Sequence, residues 1–169
     1  EINQQNIPEL GSLDSAAHLQ SLMKISLKTI ILKDENKIIG FCLLFNEGSS
    51  YDSPNYKYFN NKYEKFIYVD RVVVASDFTG RGGGKLMYQD VFNFVKKNKL
   101  TICCEVNEIP FNEVSLKFHK KLGFIKVDEK VYAKKKVAFL EKPPIKSWII
   151  KSYLFKLILT VFWRSLIVT

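Results

Sequence analysis

Apolar positions recur at helical spacing over residues 12–23, where Ser12 can cap the start and Ala16, Leu19, Leu22 and Met23 share a face. That pattern predicts an amphipathic helix packed on a sheet. Residues 29–33 and 38–45 are β-branched and apolar runs joined by Asp34-Glu35-Asn36-Lys37, which predicts an antiparallel hairpin. The pattern then lapses over residues 46–65, which are polar yet carry Tyr51, Tyr56, Tyr58, Phe59 and Tyr63 and read as a long aromatic loop. Residues 66–74 form the strongest strand and run into Gly80-Arg81-Gly82-Gly83-Gly84. A helix follows, with Leu86, Met87, Val91, Phe94 and Val95 inward. A strand over 100–106 comes next, then a helix that Asn112 can cap, that turns Val114, Phe118 and Leu122 inward, and that stops at Gly123. Strands over 124–132 and 136–140 close the series. This order predicts a mixed α/β fold, α+β in type, with a largely antiparallel sheet flanked by helices.

The length of 169 residues suits one domain. Pro143-Pro144 marks a boundary, so residues 1–142 are read as the domain and residues 143–169 as a basic, apolar helical tail. With 47% hydrophobic and 25% charged residues, the chain is neither disordered nor a disulfide-stapled miniprotein. The net charge of +9 makes polyanions, anionic membranes and phosphate-bearing cofactors candidate partners. That excess is uneven: residues 1–66 hold 7 basic and 8 acidic side chains, residues 67–142 hold 15 and 9, and residues 143–169 hold 4 and 0. Three cysteines, two of them the adjacent Cys103 and Cys104, read as reduced and structural, which suits a cytoplasmic setting. No signal peptide opens the chain, and its start at Glu1 without methionine reads as trimmed.

Residues 79–86 can be compared with known phosphate loops. A dinucleotide fingerprint G-x-G-x-x-G set on Gly80 and Gly82 would need glycine at Lys85, and a Walker loop ending on Gly84-Lys85 would need glycine at Thr79 and Ser or Thr at Leu86. Both fail. What remains is a strand-to-helix turn whose glycines permit positive φ and let backbone N–H groups converge on an anion at a helix N-terminus, with Arg81 and Lys85 adding charge.

The run Val72-Val73-Val74 followed by Phe78-Thr79-Gly80-Arg81-Gly82-Gly83-Gly84-Lys85-Leu86-Met87 resembles the acetyl-CoA-binding motif of the GNAT superfamily of N-acetyltransferases, [Gln/Arg]-x-x-Gly-x-[Gly/Ala]. Asn112-Glu113-Val114-Ser115, continuing to Phe118-His119-Lys120-Lys121-Leu122-Gly123-Phe124, is similar to the later motif of that superfamily, Asn-x-x-Ala followed by Phe-Tyr-x-Lys-Leu-Gly-Phe. A little-characterised prokaryotic branch shares the Val-Asp-Arg strand and the Phe-His pair. Thr79 replaces the usual Gln or Arg, and His119 replaces the Tyr that protonates the departing thiolate.

The resemblance implies splayed central strands forming an acetyl-CoA cleft. It implies that the Val72 N–H meets the thioester carbonyl, that Val74 pairs along the pantetheine arm, and that Asn112 and Phe118 line it. It also implies direct transfer of acetyl to a primary amine, on a small molecule or a protein, with His119 as general acid. Asp70, in phase with Tyr68 and Val72, and Glu105 on the adjacent strand are the candidate bases. Tyr51, Tyr56 and Tyr58 are the candidate acceptor wall, or else a satellite core. A non-catalytic acyl-CoA-binding module is the alternative function. No metal site and no nucleic-acid partner are expected, since zinc ligands and recognition motifs are lacking. The tail favours docking or a non-native extension over a membrane surface, and a homodimer is allowed.

Overall fold

The computed structural model describes residues 2–7 and 11–144, so the tail read at residues 143–169 lies outside the described residues from residue 145 on. Helix α1 (Ala16–Ile25) starts one turn later than Ser12 suggests, because the Ser15 side chain accepts the His18 N–H and caps it there. Strands β1 (Lys28–Asp34) and β2 (Lys37–Asn46) form the expected hairpin. The stretch read as an aromatic loop contains helix α2 (Pro54–Lys62) instead. Ser53 accepts from the Tyr56 N–H and Pro54 stands in the first turn, a start signal that the tyrosines obscured.

Strand β3 (Phe66–Val74) leads through the glycine loop into α3 (Gly83–Lys96), followed by β4 (Thr101–Ile109), α4 (Glu113–Lys121), β5 (Ile125–Tyr132) and β6 (Lys135–Lys142). The strand order is β1-β2-β3-β4-β6-β5. Every neighbouring pair is antiparallel except β3 and β4. That parallel pairing is short, joining Phe66, Ile67 and Tyr68 to Thr101, Ile102 and Cys103 and going no further. Beyond Tyr68 the two strands splay, as the family resemblance implied.

A core lies on each face of the sheet. Met87, Tyr88, Val91 and Val95 of α3 pack with Ile67, Val69, Ile102 and Cys104 on one side. An aromatic core of Phe45, Tyr56, Phe59, Phe66, Tyr68 and Phe139 fills the other. Each such ring adds roughly 2 to 3 kcal/mol of burial. Both helices keep most of the expected inward face, Met87, Val91 and Val95 on α3 included, and differ at single positions: Tyr88 rather than Leu86 faces inward from α3, and Val114 of α4 is 77% exposed while His119 is 7% exposed. On α4 Phe118 and Leu122 pack inward as expected, Leu116 and His119 join them at helical spacing, and Val114 alone of the expected three turns outward.

Candidate functional site

A bulge shapes the central strand. Leu43 pairs with Arg71 and Leu44 with Val69, so Asp70 is an extra residue in β3. The strand changes phase there. Tyr68 and Val73 belong to the aromatic core, whereas Val72 and Val74 pack against the α3 side, so Asp70 shares a side with Tyr68 but not with Val72 as the simple alternation suggested. Past the bulge, the Ala75 N–H donates to the Ile39 carbonyl across 2.8 Å, which assigns the alternate groups of β3 to β2. The N–H and C=O groups of Val72 and Val74 therefore point the other way, into the opening left by β4. Val73 faces β2 and its side chain is buried.

At the end of this open edge the chain turns through Gly80 (φ 78°) and Gly82 (φ 87°), both in the left-handed region that costs other residues about 1 to 2 kcal/mol. Gly82 is the N-cap of α3 and supplies no capping side chain. The Gly83, Gly84 and Lys85 N–H groups are thus first-turn donors without intrahelical acceptors, at the positive end of the helix dipole. The absence of a side chain at Gly84 matters as well, since a Cβ there would lie 3.3 Å from the Phe118 ring. Thr79 and Lys85 are exposed beside the loop, and Arg81 lies over the Phe78 ring at 5.1 Å.

These groups border a cleft of about 660 Å³ whose walls include Val72, Val74, the glycine loop, Glu105, Val106, Asn107, Asn112, Ser115, Phe118 and His119. A strand edge that β4 leaves open, with the Val74 carbonyl accepting from Asn6 Nδ2 at 3.4 Å, runs on to an uncapped helix N-terminus and fits an amide-bearing arm ending in a pyrophosphate, the chemistry of coenzyme A. A second cavity, of about 610 Å³, lies between α1 and the β1–β2 hairpin; no titratable side chain is among its described lining residues. Among the described residues no group of His, Cys, Asp and Glu could hold a metal ion, and no helix is long and apolar enough to cross a membrane.

Glu105 reaches this cleft from β4 but is densely surrounded. Its Oε1 accepts from Asn55 Nδ2 at 2.9 Å, and its Oε2 accepts from the Tyr68 hydroxyl at 2.6 Å. Burial pushes its carboxyl up to about 7, against the opposing pull of the Tyr68 and Asn55 hydrogen bonds. Asn55 is itself oriented by the Tyr132 hydroxyl, which donates to Asn55 Oδ1 at 2.6 Å.

Asp70 sits differently. Its Oδ2 accepts from Arg71 Nε at 2.5 Å and its Oδ1 from the Tyr51 hydroxyl at 2.5 Å, and both ion-pair side chains are almost wholly buried. Arg71 goes on to donate to Asn3 Oδ1 at 3.0 Å. Asp70 is not among the cleft's lining residues.

His119, the general acid that the family resemblance implied, lines the cleft but is buried at 7% exposure. Its Nδ1 lies 2.8 Å from the Ser115 carbonyl oxygen, and its Nε2 lies 2.8 Å from the Tyr88 hydroxyl. Because a carbonyl only accepts, Nδ1 carries the proton and Nε2 accepts from Tyr88. Burial lowers the imidazole below its usual range, opposed by the Ser115 hydrogen bond, so the ring is neutral near pH 7. Asn112 caps α4, its Oδ1 accepting the Ser115 N–H at 2.9 Å.

The three tyrosines considered for the acceptor wall do not line this cleft. Tyr56 is buried, with its hydroxyl on the Asn46 carbonyl at 2.7 Å. Tyr58 stacks on Phe139 at 4.1 Å, and Tyr51 stacks on Phe45 at 4.3 Å. Sequence reasoning missed Asn55, Tyr68, Tyr88 and Ser115; of these only Ser115 left a signal, its i, i+4 spacing from His119 on one helix face.

The model of the acetyltransferase (GNAT) family matches residues 6–124. No curated protein sequence matches the chain. Among solved structures, the ribosomal-protein-S18-alanine N-acetyltransferase of Escherichia coli is 13% identical, with 86% of this chain and 85% of that chain covered at a TM-score of 0.64. Naa20 of Chaetomium thermophilum, solved with a bisubstrate analogue, is 16% identical over 85% of this chain and 79% of that one, at 0.65. The NatC complex bound to Gag peptide and CoA is 15% identical over 84% and 85%, at 0.61. At these identities the likeness is one of fold.

Proposed function

Because the chain belongs to the GNAT acetyltransferase family, we propose that it moves the acetyl group of acetyl-CoA directly onto a primary amine, with Glu105 as the general base. The observation that carries the reading is the continuity of the Val72 and Val74 backbone edge with the uncapped α3 N-terminus, opposite a carboxylate that titrates near neutrality.

Acetyl-CoA supplies an activated acetyl group; the chain supplies position and charge. The Gly83, Gly84 and Lys85 N–H groups hold the pyrophosphate, helped by Arg81 and Lys85, with Gly80 and Gly82 giving the backbone its approach. The exposed Thr79 leaves this cradle to the backbone. The Val74 groups hold the arm, Phe118 packs against its path at Gly84, and Asn112 fixes the α4 end of the wall. The Val72 N–H donates to the thioester carbonyl oxygen, where negative charge grows as nitrogen attacks. Glu105, half ionised near pH 7 and more so above it, accepts a proton from the ammonium directly or through water, leaving nitrogen its lone pair.

Asp70 holds Arg71 and Tyr51 behind the bulge and supports the strand rather than the proton transfer. The acceptor is a primary amine of a small molecule or of a protein. Tyr51, Tyr56 and Tyr58 shape the acceptor side from behind, as a packed aromatic floor.

The test is acetyl-CoA binding by calorimetry, together with free-thiol release across a panel of small amines and peptides. Binding with turnover supports the reading. Binding without turnover on every amine points to a non-catalytic acyl-CoA-binding module, and no binding overturns both.

A further inference from the structure

The α4 wall of the cleft holds a hydroxyl that the mechanism above does not use. Ser115 stands in the first turn of α4, half-exposed, and lines the cleft together with His119. One turn on, His119 is locked by two hydrogen bonds and by rings on three sides: Tyr88 at 5.4 Å, Phe118 at 5.3 Å and Phe124 at 5.3 Å, all edge-on. Its Nδ1–H is aimed at the Ser115 carbonyl at 2.8 Å and lies 3.2 Å from Ser115 Oγ.

This arrangement settles who donates. Nδ1 carries a proton, so Ser115 Oγ can only accept from it, and the serine keeps its own hydrogen for another partner. Among the described residues Ser115 Oγ has no other hydrogen-bond partner. A hydroxyl that accepts from one side is a better donor on the other, since hydrogen bonds in a chain polarise one another. It also sits at the positive end of the α4 dipole, where a negative charge is favoured. His119, by contrast, has no proton left to direct into the cleft.

We propose that Ser115, oriented by His119, is the hydrogen-bond donor that meets the sulfur of acetyl-CoA as the carbon–sulfur bond breaks. This rests on the acetyl-transfer reading. The amine lone pair forms the new N–C bond, and the C–S bond breaks with its electron pair staying on sulfur. One proton leaves the ammonium for Glu105 and then water, and a second leaves nitrogen for water as the amide forms. The thiolate takes its proton from water. Ser115 keeps its proton throughout, so it stabilises the leaving group without transferring charge. His119 is a positioning residue.

The experiment compares Ser115→Ala, Ser115→Thr and His119→Phe with the unaltered protein, using the best acceptor of the amine panel and two donors, acetyl-CoA and the acetyl thioester of 4-nitrothiophenol. A hydrogen bond to a charged atom is worth enough that Ser115→Ala should lower kcat with acetyl-CoA by about 10- to 100-fold. The acetyl-CoA Kd should stay within about twofold, since the bond forms only as charge develops. Ser115→Thr should recover most of the rate. With the more acidic aryl thiol as leaving group the loss should shrink several-fold, because that thiolate needs less help. His119→Phe should show the same dependence on leaving group with a smaller loss. An unchanged kcat in Ser115→Ala, or an equal loss with both donors, overturns the assignment while leaving acetyl transfer intact. Failure of the unaltered protein to bind acetyl-CoA overturns the acetyl-transfer reading itself, and this inference with it.

Discussion

The side-chain amide of Asn55, at the start of α2, donates to Glu105 Oε1 on β4 across 2.9 Å, joining residues 50 positions apart in the chain. Together with the Tyr68 hydroxyl on Oε2, it holds in place the one carboxylate among the cleft's described lining residues and pulls its pKa back toward the ordinary range against the desolvation that raises it. Both donors bind the charged form best, so their removal lets burial win.

The pH dependence of catalysis follows. kcat/KM for acetylation should rise with pH through a limb near 7, as Glu105 loses its proton. Asn55→Leu and Tyr68→Phe should each move that limb upward. A pH–rate profile checks this, and a limb that stays in place in both variants would remove Glu105 from the role of base.

Glu105→Gln should lower kcat by about 10²- to 10⁴-fold, the usual worth of a positioned base, with acetyl-CoA binding unchanged. The same substitution should alter stability with a definite sign. A carboxyl whose folded pKa is raised contributes stability below its unfolded pKa, and that contribution is lost as pH rises through about 7. The unaltered protein therefore loses stability between about pH 4.5 and 8 at this site, and the glutamine variant does not. Thermal melts at the two ends of that window should show the variant gaining relative to the parent as pH rises.

Gly82→Ala should weaken acetyl-CoA binding. Its φ of 87° makes alanine strained by about 1 to 2 kcal/mol, and relief of that strain moves the first-turn N–H groups of α3. An affinity loss on the order of tenfold by calorimetry, with the acceptor KM little changed, is the expected result.

Asp70→Ala should act on folding before it acts on turnover. It strands the Arg71 guanidinium, which is 7% exposed, without its partner, a change that typically costs about 3 to 5 kcal/mol. The double variant Asp70→Ala with Arg71→Met should recover much of the lost stability in a denaturant titration. A folded, stable Asp70→Ala protein with a collapsed kcat would return Asp70 to consideration as a base.

Much of the fold is legible in the sequence, because element type depends on local period. The β1–β2 hairpin, the strand from Phe66, the glycine turn, α3 and the capped start of α4 each carry their own signal. Residues 54–62 do not read as a helix because their three aromatic rings, Tyr56, Tyr58 and Phe59, stand in a polar stretch with no clear period, while the Ser53-Pro54 start is only two residues long. Single positions on α3 and α4 depart from the expected faces for a related reason. Leu86 and Val114 look apolar, but Tyr88 and His119 are buried because each satisfies the other's polar atom.

By itself, then, the sequence determined the α/β class, the glycine turn at Gly80 to Gly84 and the pairing of two family motifs, since each depends on neighbours within a few residues. Tertiary structure alone decided which carboxylate faces the cleft. Asp70 and Glu105 look equivalent along the chain, but the bulge in β3 turns Asp70 onto Arg71, while the splay of β3 from β4 leaves Glu105 at the opening under the hold of Asn55 and Tyr68. Burial, partner and access are properties of residues brought together from distant positions, and no local pattern encodes them.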